Sequence, residues 1–124
     1  MTHFDQLGVS ETLAVLLKKQ GITVPTPVQE QAIPPMRAGR DVIAQAQTGT
    51  GKTLAYLLPI MRRIDPAVRA AQALVLAPTH ELAMQIATVA RELAQAAGLP
   101  IGVQALIGGA NIKRQIELLK KKPA

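Results

Sequence analysis

Three short aliphatic runs, each followed by a helical pattern, limit the possible folds of this 124-residue chain more than any other feature of its sequence. The runs begin at residues 41, 73 and 101, so their starts lie 32 and 28 residues apart, the size of a strand–helix–strand unit. The run at 73–77 has no polar alternation, as expected of a parallel strand covered on both faces. The spacing predicts a single α/β domain with a mostly parallel sheet and strands at 41–44, 73–77 and 101–107.

Capping residues predict where the intervening helices begin and end. Gly21 and Gly98 are typical helix stops, and Pro59 predicts that the helix after the first strand kinks or ends near Leu57. Pro27 suits the first position of a helix. Four polar residues are predicted N-caps: Ser10, Thr26, Thr79 and Asn111.

Composition removes several classes of chemistry. The chain has no cysteine, which excludes a disulfide framework, a thiolate metal site and a cysteine nucleophile. No segment approaches the ~18 consecutive apolar residues of a membrane span, and residues 1–10 lack the build of a signal peptide. We therefore expect a soluble, cytoplasmic protein with no membrane partner.

The charge balance is basic. Fourteen Lys and Arg against eight Asp and Glu give a formal net charge of +6, which favours a polyanionic partner such as nucleic acid or nucleotide phosphate. Five of these cations lie in the last fifteen residues. Such a run is also typical of a solvated helix end, so charge alone leaves both interpretations open.

The most specific motif directly follows the first aliphatic run. Its glycines let backbone N–H groups turn toward phosphate oxygens, its lysine reaches the β- and γ-phosphates, and its last hydroxyl can bind Mg²⁺. A helix beginning at the lysine would point its positive end at the same anion. The motif is a phosphate-binding P-loop with alanine in place of the first glycine: Ala46, Gln47, Thr48, Gly49, Thr50, Gly51, Lys52 and Thr53.

Three further segments accompany this loop: residues 21–29, residues 78–83 and the glycine pair at 108–109. Together with the loop, they resemble the DEAD-box RNA helicase family along essentially the whole chain. Residues 21–29 resemble the family's Q motif, and Phe4 stands 17 residues before Gly21, where the family carries an isolated aromatic. Residues 46–53 are identical to a common form of motif I, residues 78–83 resemble motif Ia, and 108–109 match a glycine doublet. The resemblance implies a three-layer αβα RecA-like fold, incomplete at its C-terminal side. It would comprise a Q-motif region at 1–40 and a P-loop βαβ core at 41–124.

The resemblance also implies residue roles at the nucleotide. Gln29 would read the N6 amino group and N7 of adenine through its amide, and thereby select ATP over GTP. Phe4 and Ile22 would cover the faces of the base, and Thr26 belongs to the same motif. Taken without the family, Phe4 is better explained by core packing and Gln29 by an exposed helix position. Lys52 would be the catalytic cation and Thr53 the Mg²⁺ ligand.

For RNA, the resemblance implies sequence-independent contacts to the sugar-phosphate backbone. Pro78, Thr79, Gly108 and Gly109 would make them, although a glycine pair is also typical of an ordinary strand-to-helix turn. His80 departs from the family, which nearly always has arginine there. Histidine lacks the permanent charge and planar fork of arginine, so either RNA binding or local ion pairing is expected to weaken.

Several family segments have no counterpart in these 124 residues. They include the Asp-Glu-Ala-Asp segment, the Ser-Ala-Thr segment and a second RecA-like domain. No two of the eight acidic residues are adjacent, and none follows an aliphatic run at its C-terminal end. We therefore expect the N-terminal part of a helicase that binds ATP but does not hydrolyse it alone. In the resembled fold, strands from the missing segments separate the three aliphatic runs, so we also expect self-association, with direct pairing of the three runs as the alternative.

Two other interpretations remain at the level of sequence. One is a naturally short, non-catalytic nucleotide- or RNA-binding module. The other is an unrelated P-loop enzyme such as a small-molecule kinase, against which Phe4 and the Gln29 segment argue.

Overall fold

A computed structural model describes residues 3–124, which form five helices and contain no β-strand. The chain divides into two compact units, Met1–Arg63 and Ile64–Ala124. Within the described residues, every helix is too short or too polar to cross a bilayer. The helices are α1 (Glu11–Lys19), α2 (Pro27–Arg37), α3 (Lys52–Arg63), α4 (His80–Ala96) and α5 (Ile112–Leu119).

The predicted helix starts are confirmed. The side chains of Ser10, Thr79 and Asn111 accept hydrogen bonds from the backbone N–H three residues ahead, at 3.4, 3.2 and 3.1 Å. Thr26 precedes α2, which begins at Pro27, but its hydroxyl makes no cap bond. Gly21 and Gly98 have positive φ values of 79° and 68°, as glycine stops require.

Of the two alternatives predicted at Pro59, a kink or a helix end, the end near Leu57 is wrong, because α3 continues to Arg63. Proline removes one N–H donor from the helix. In compensation, Pro59 is buried together with Leu57, Leu58 and Met61. Burial of one large aliphatic side chain stabilises the folded state by roughly 1.5–3 kcal/mol. The burial of these side chains therefore contributes more free energy than the one missing hydrogen bond would.

The three aliphatic runs are present, but they do not pair as strands anywhere in residues 3–124. Ile43, Leu74 and Leu76 are left largely exposed to solvent. The C-terminal residue lies between the second and third runs: the Gln72 and Ala73 N–H groups donate to the Ala124 backbone oxygen, and the Ala124 N–H donates to Gly102. The parallel sheet therefore remains a prediction.

Each unit has its own aliphatic core. In the first, α2 packs against α3, and the fully buried side chains include Leu17, Ile33 and Leu57. In the second, α4 supplies most of the buried surface through one face: Ile86, Ala87, Ala90, Leu93 and Ala94.

An arginine holds the N-terminal turn of the first unit. The Arg37 Nη1 donates to the Leu7 carbonyl at 2.8 Å, and the guanidinium lies over Gly8, where a Cβ would overlap it. Gly8 has φ +77°, a conformation that L side chains rarely adopt. Phe4 and Leu7 are buried on the inner side of this turn, so Arg37 and Gly8 together fix how the N-terminus joins the core.

Gly8→Ala should therefore destabilise the chain by about 1–3 kcal/mol, because it adds backbone strain and displaces the Arg37 guanidinium. In an Arg37→Ala background the same substitution should cost less, since only the strain remains. Urea denaturation of the four chains in this double-mutant cycle measures the coupling. Arg40→Ala, which removes an exposed arginine three residues away, is the control. An equal cost of Gly8→Ala in both backgrounds would contradict the contact.

Candidate functional site

The predicted phosphate loop lies between the first aliphatic run and α3. The helix begins at Lys52, as the motif requires. Gly49 and Gly51 have φ values of +81° and +88°, so both use the backbone freedom that the motif assigns to glycine. Thr53 is half-buried in the first turn of the helix.

Two side chains of the loop bond to the loop's own carbonyls. Lys52 Nζ donates to the Ala46 carbonyl at 2.6 Å, and Thr50 Oγ1 donates to the Gln47 carbonyl at 2.6 Å. The Lys52 ammonium is therefore held beside the loop rather than extended into solvent. A phosphate group would replace one neutral acceptor of this ammonium by charged oxygens, which form stronger hydrogen bonds.

Two features of the loop leave room for a ligand. A Cβ built on Gly49 meets no atom within 4 Å, so the backbone there is open to close approach. The Thr26 hydroxyl is buried without a hydrogen-bond partner and lies beside Gly51. A buried hydroxyl without a partner costs free energy, and a ligand oxygen or water would satisfy it.

Gln29 links the start of α2 to the loop. Its side chain is 1% exposed, its Oε1 accepts from the Thr26 N–H at 2.9 Å, and its Nε2 donates to the Gly51 carbonyl at 3.1 Å. A Cβ at Gly51 would overlap this carboxamide, so glycine is required there for space as well as for φ. The explanation of Gln29 as an exposed helix position is wrong, since its side chain is buried. Its contact with Gly51 was not predicted, and the glycine at 51 was the only sign of it in the sequence.

The two residues predicted to cover the base are placed differently from each other. Phe4 is 3% exposed and belongs to the core of the first unit. This agrees with core packing, the explanation of Phe4 that does not use the family resemblance. Ile22 is half-buried just after α1, and its N–H donates to the Leu17 carbonyl at 2.8 Å. Contact of either side chain with a base remains a prediction.

The residues predicted to contact RNA lie in the second unit and are exposed. Thr79 uses its hydroxyl to cap α4, and both Thr79 and Pro78 are exposed. Gly109 has φ +77°, and a Cβ on either Gly108 or Gly109 would meet no atom within 4 Å. Both glycines are thus open to a ligand.

A cavity of about 400 Å³ opens on the first unit next to the loop. Its lining comes from α2, from the segment that leads into the P-loop and from the loop itself: Pro27, Val28, Gln31, Ala32, Val42, Ile43, Ala44, Gln45, Ala46 and Thr50.

Comparison with known proteins identifies the family of this chain. The family model described as "DEAD/DEAH box helicase" matches residues 26–124. The chain is 53% identical over 106 residues to DEAD-box ATP-dependent RNA helicase CshC of Bacillus cereus, covering 86% of this chain and 27% of that protein. It is 52% identical over 103 residues to the probable ATP-dependent RNA helicase YfmL of Bacillus subtilis, covering 83% and 27%.

Solved structures share the fold. The RNA helicase Prp28 from Chaetomium thermophilum, bound to ADP, aligns with a TM-score of 0.86 at 35% identity, over 100% of this chain and 31% of that one. Dbp5 from S. cerevisiae, bound to RNA and ADP BeF3, aligns with a TM-score of 0.74 at 32% identity, over 90% and 30%. These matches confirm the predicted P-loop, RecA-like fold.

The chain belongs to the DEAD/DEAH box helicase family. It spans about a quarter of the length of the curated relatives given above. The family predicted from the Q motif, motif I, motif Ia and the glycine doublet is therefore confirmed.

The Gln29–Gly51 contact predicts unequal roles for the two loop glycines. Gly49→Ala should cost about 1–3 kcal/mol of stability from positive φ alone. Gly51→Ala should cost about 1–3 kcal/mol more, because it also displaces a buried carboxamide from its partners. Thermal unfolding of both variants without ligand measures the difference, and equal midpoints would contradict the contact.

Proposed function

We propose that this chain is the ATP-binding part of an ATP-dependent RNA helicase, in which the whole protein couples RNA-stimulated ATP hydrolysis to duplex unwinding. The observation that carries the proposal is the Gln29 carboxamide bound to Gly51 of the phosphate loop, since it joins the two motifs that define the family. The names of the relatives, which are ATP-dependent RNA helicases, support the same activity.

The phosphate loop would bind the nucleotide through backbone N–H groups and the Lys52 ammonium. Lys52 would exchange the Ala46 carbonyl for β- and γ-phosphate oxygens, and the start of α3 would add its positive dipole end. Thr53 would contribute one oxygen to Mg²⁺. In the described residues no three acidic or histidine side chains come together, so phosphate oxygens and water would supply the other ligands. Bound Mg²⁺ neutralises phosphate charge.

The hydrogen-bonding inventory of Gln29 supports adenine selection. A carboxamide has two N–H donors and an oxygen with two lone pairs, and the backbone of Thr26 and Gly51 uses one of each. The remaining N–H and lone pair match N7 and the N6 amino group of adenine. Because the side chain is 1% exposed, adenine binding would have to uncover it. Guanine carries an oxygen at position 6, so it would place an acceptor against the glutamine oxygen.

The RNA contacts would come from the exposed surface of Pro78, Thr79, Gly108 and Gly109. Backbone contacts of this kind bind phosphate and sugar without reading sequence. The RNA-bound Dbp5 structure supports this part of the proposal at the level of the family.

The exposed aliphatic runs support self-association of this chain. Ile43, Leu74 and Leu76 lie on backbone that has no strand partner in residues 3–124, and such edges pair readily with another chain. A second copy could lend a strand to each unit, by edge pairing or by swapping.

Nucleotide binding should favour ATP over GTP by about tenfold or more, since a bidentate contact to a base discriminates by about 1–3 kcal/mol. It should also depend on Lys52. Calorimetry on the wild-type chain and on Lys52→Ala measures both effects, with Lys19→Ala on α1 as the charge control. Equal affinity for GTP, or unchanged affinity in Lys52→Ala, would contradict the assignment.

Phosphate release from ATP should stay at the background rate in the same samples, even with RNA added, because the acidic segments of the family are not among these residues. RNA-stimulated release by the purified chain would show that another carboxylate acts.

Light scattering should give a mass above that of the 13.2 kDa monomer that rises with protein concentration. Leu74→Lys with Leu76→Lys should shift the mass toward the monomer, because charge on an edge opposes pairing. Val15→Lys, at an exposed position of α1, should leave it unchanged. A wild-type monomer at all concentrations would contradict the proposal.

A further inference from the structure

The side chain of Gln115 binds both backbone groups of a single residue next to the glycine doublet. Its Oε1 accepts from the Ile107 N–H at 2.8 Å, and its Nε2 donates to the Ile107 carbonyl at 3.1 Å. A carboxamide carries the same donor and acceptor pair as a peptide group, so Gln115 pairs with Ile107 as a neighbouring strand would. Both residues are half-buried, which protects these bonds from competing water.

This pairing fixes the turn that contains Gly108 and Gly109 at one end. The other end is fixed by Asn111, whose side chain accepts from the Arg114 N–H at 3.1 Å. No side chain of α5 is buried, so packing contributes little to the position of the helix relative to the turn. The Gln115 carboxamide is therefore the specific contact that holds the turn against α5.

Of the two glycines of this turn, the backbone conformation requires only one. Gly109 has a positive φ, which explains glycine there. Gly108 does not, and a Cβ at this position would meet no atom within 4 Å. Nothing within the described residues requires glycine at 108, so the absent side chain leaves room for a molecule that approaches the backbone from outside.

We propose that Gln115 is the positioning residue for polynucleotide binding at this turn. It holds the Ile107 backbone so that the Gly108–Gly109 segment presents an open main chain to the sugar-phosphate backbone. The proposal rests on the proposed RNA-binding function and adds a residue that makes no contact with RNA itself.

The experiment is a double-mutant cycle on binding of a fluorescein-labelled oligouridylate, measured by anisotropy at several salt concentrations. Gln115→Met keeps the side-chain length but loses both hydrogen bonds, and Gly108→Ala fills the open space. Each should weaken binding about tenfold. The double variant should be no weaker than either single one, because both remove the same contact. Gln95→Met, an exposed glutamine of α4, should bind like the wild type.

The salt dependence separates positioning from charge. Loss of one lysine–phosphate contact makes the negative slope of log affinity against log salt shallower by about 0.7 for single strands. Gln115→Met should leave the slope unchanged. Additive effects in the cycle, wild-type affinity of Gln115→Met or a reduced slope would each overturn the proposal.

Hydrogen exchange of the amides at 107–109 distinguishes this proposal from the proposed function. If the wild-type chain does not bind the oligouridylate, the RNA-binding function fails whatever Gln115 does. Exchange at 107 should rise in Gln115→Met without RNA, and unchanged exchange would show that the pairing does not hold the turn. If Gln115→Met loses helix content, Gln115→Ala takes its place in the cycle, since it also removes both hydrogen bonds, adds no charge and favours a helix.

Discussion

The contact on which the first unit depends is the Gln29 carboxamide between the Thr26 N–H and the Gly51 carbonyl. It satisfies a free donor at the start of α2 and an acceptor in the phosphate loop with one buried side chain. Leaving either backbone group unpaired in the interior would cost about 1–3 kcal/mol. The shape of the loop is thereby coupled to the helix that precedes it, and any ligand that moves the loop must act on Gln29 as well.

The second unit uses glutamine in a related way. Gln72 accepts from the Asp65 N–H and donates to the Asp65 carbonyl, both at 2.9 Å, and Gln115 does the same for Ile107. In addition, Arg91 of α4 donates from two nitrogens to the Val103 carbonyl. Each of these side chains supplies hydrogen bonds to segments that have no neighbouring strand in residues 3–124. Polar side chains thus form some of the hydrogen bonds to the backbone that neighbouring strands form in a complete α/β sheet.

The contrast between buried helices and exposed runs follows from where each finds its partners. A helix closes its backbone hydrogen bonds internally, so α2, α3 and α4 need only an apolar neighbour to bury one face. A strand needs another strand for its N–H and C=O groups. Leu74 and Leu76 have the composition of a doubly covered strand but remain exposed because pairing is a property of the whole sheet.

The sequence by itself determined the family, through the order and spacing of its motifs. It also determined the P-loop motif, the caps Ser10, Thr79 and Asn111, and the glycine stops, because each of these depends on local backbone chemistry within a few residues. Only the tertiary structure decided that α3 continues through Pro59, that Phe4 lies in the core and that the aliphatic runs do not pair with one another within residues 3–124. It also decided that Gln29 binds Gly51 and Gln115 binds Ile107. These outcomes depend on packing and on hydrogen bonds between residues that are separated in the sequence, and no local pattern specifies which distant backbone group a carboxamide will reach.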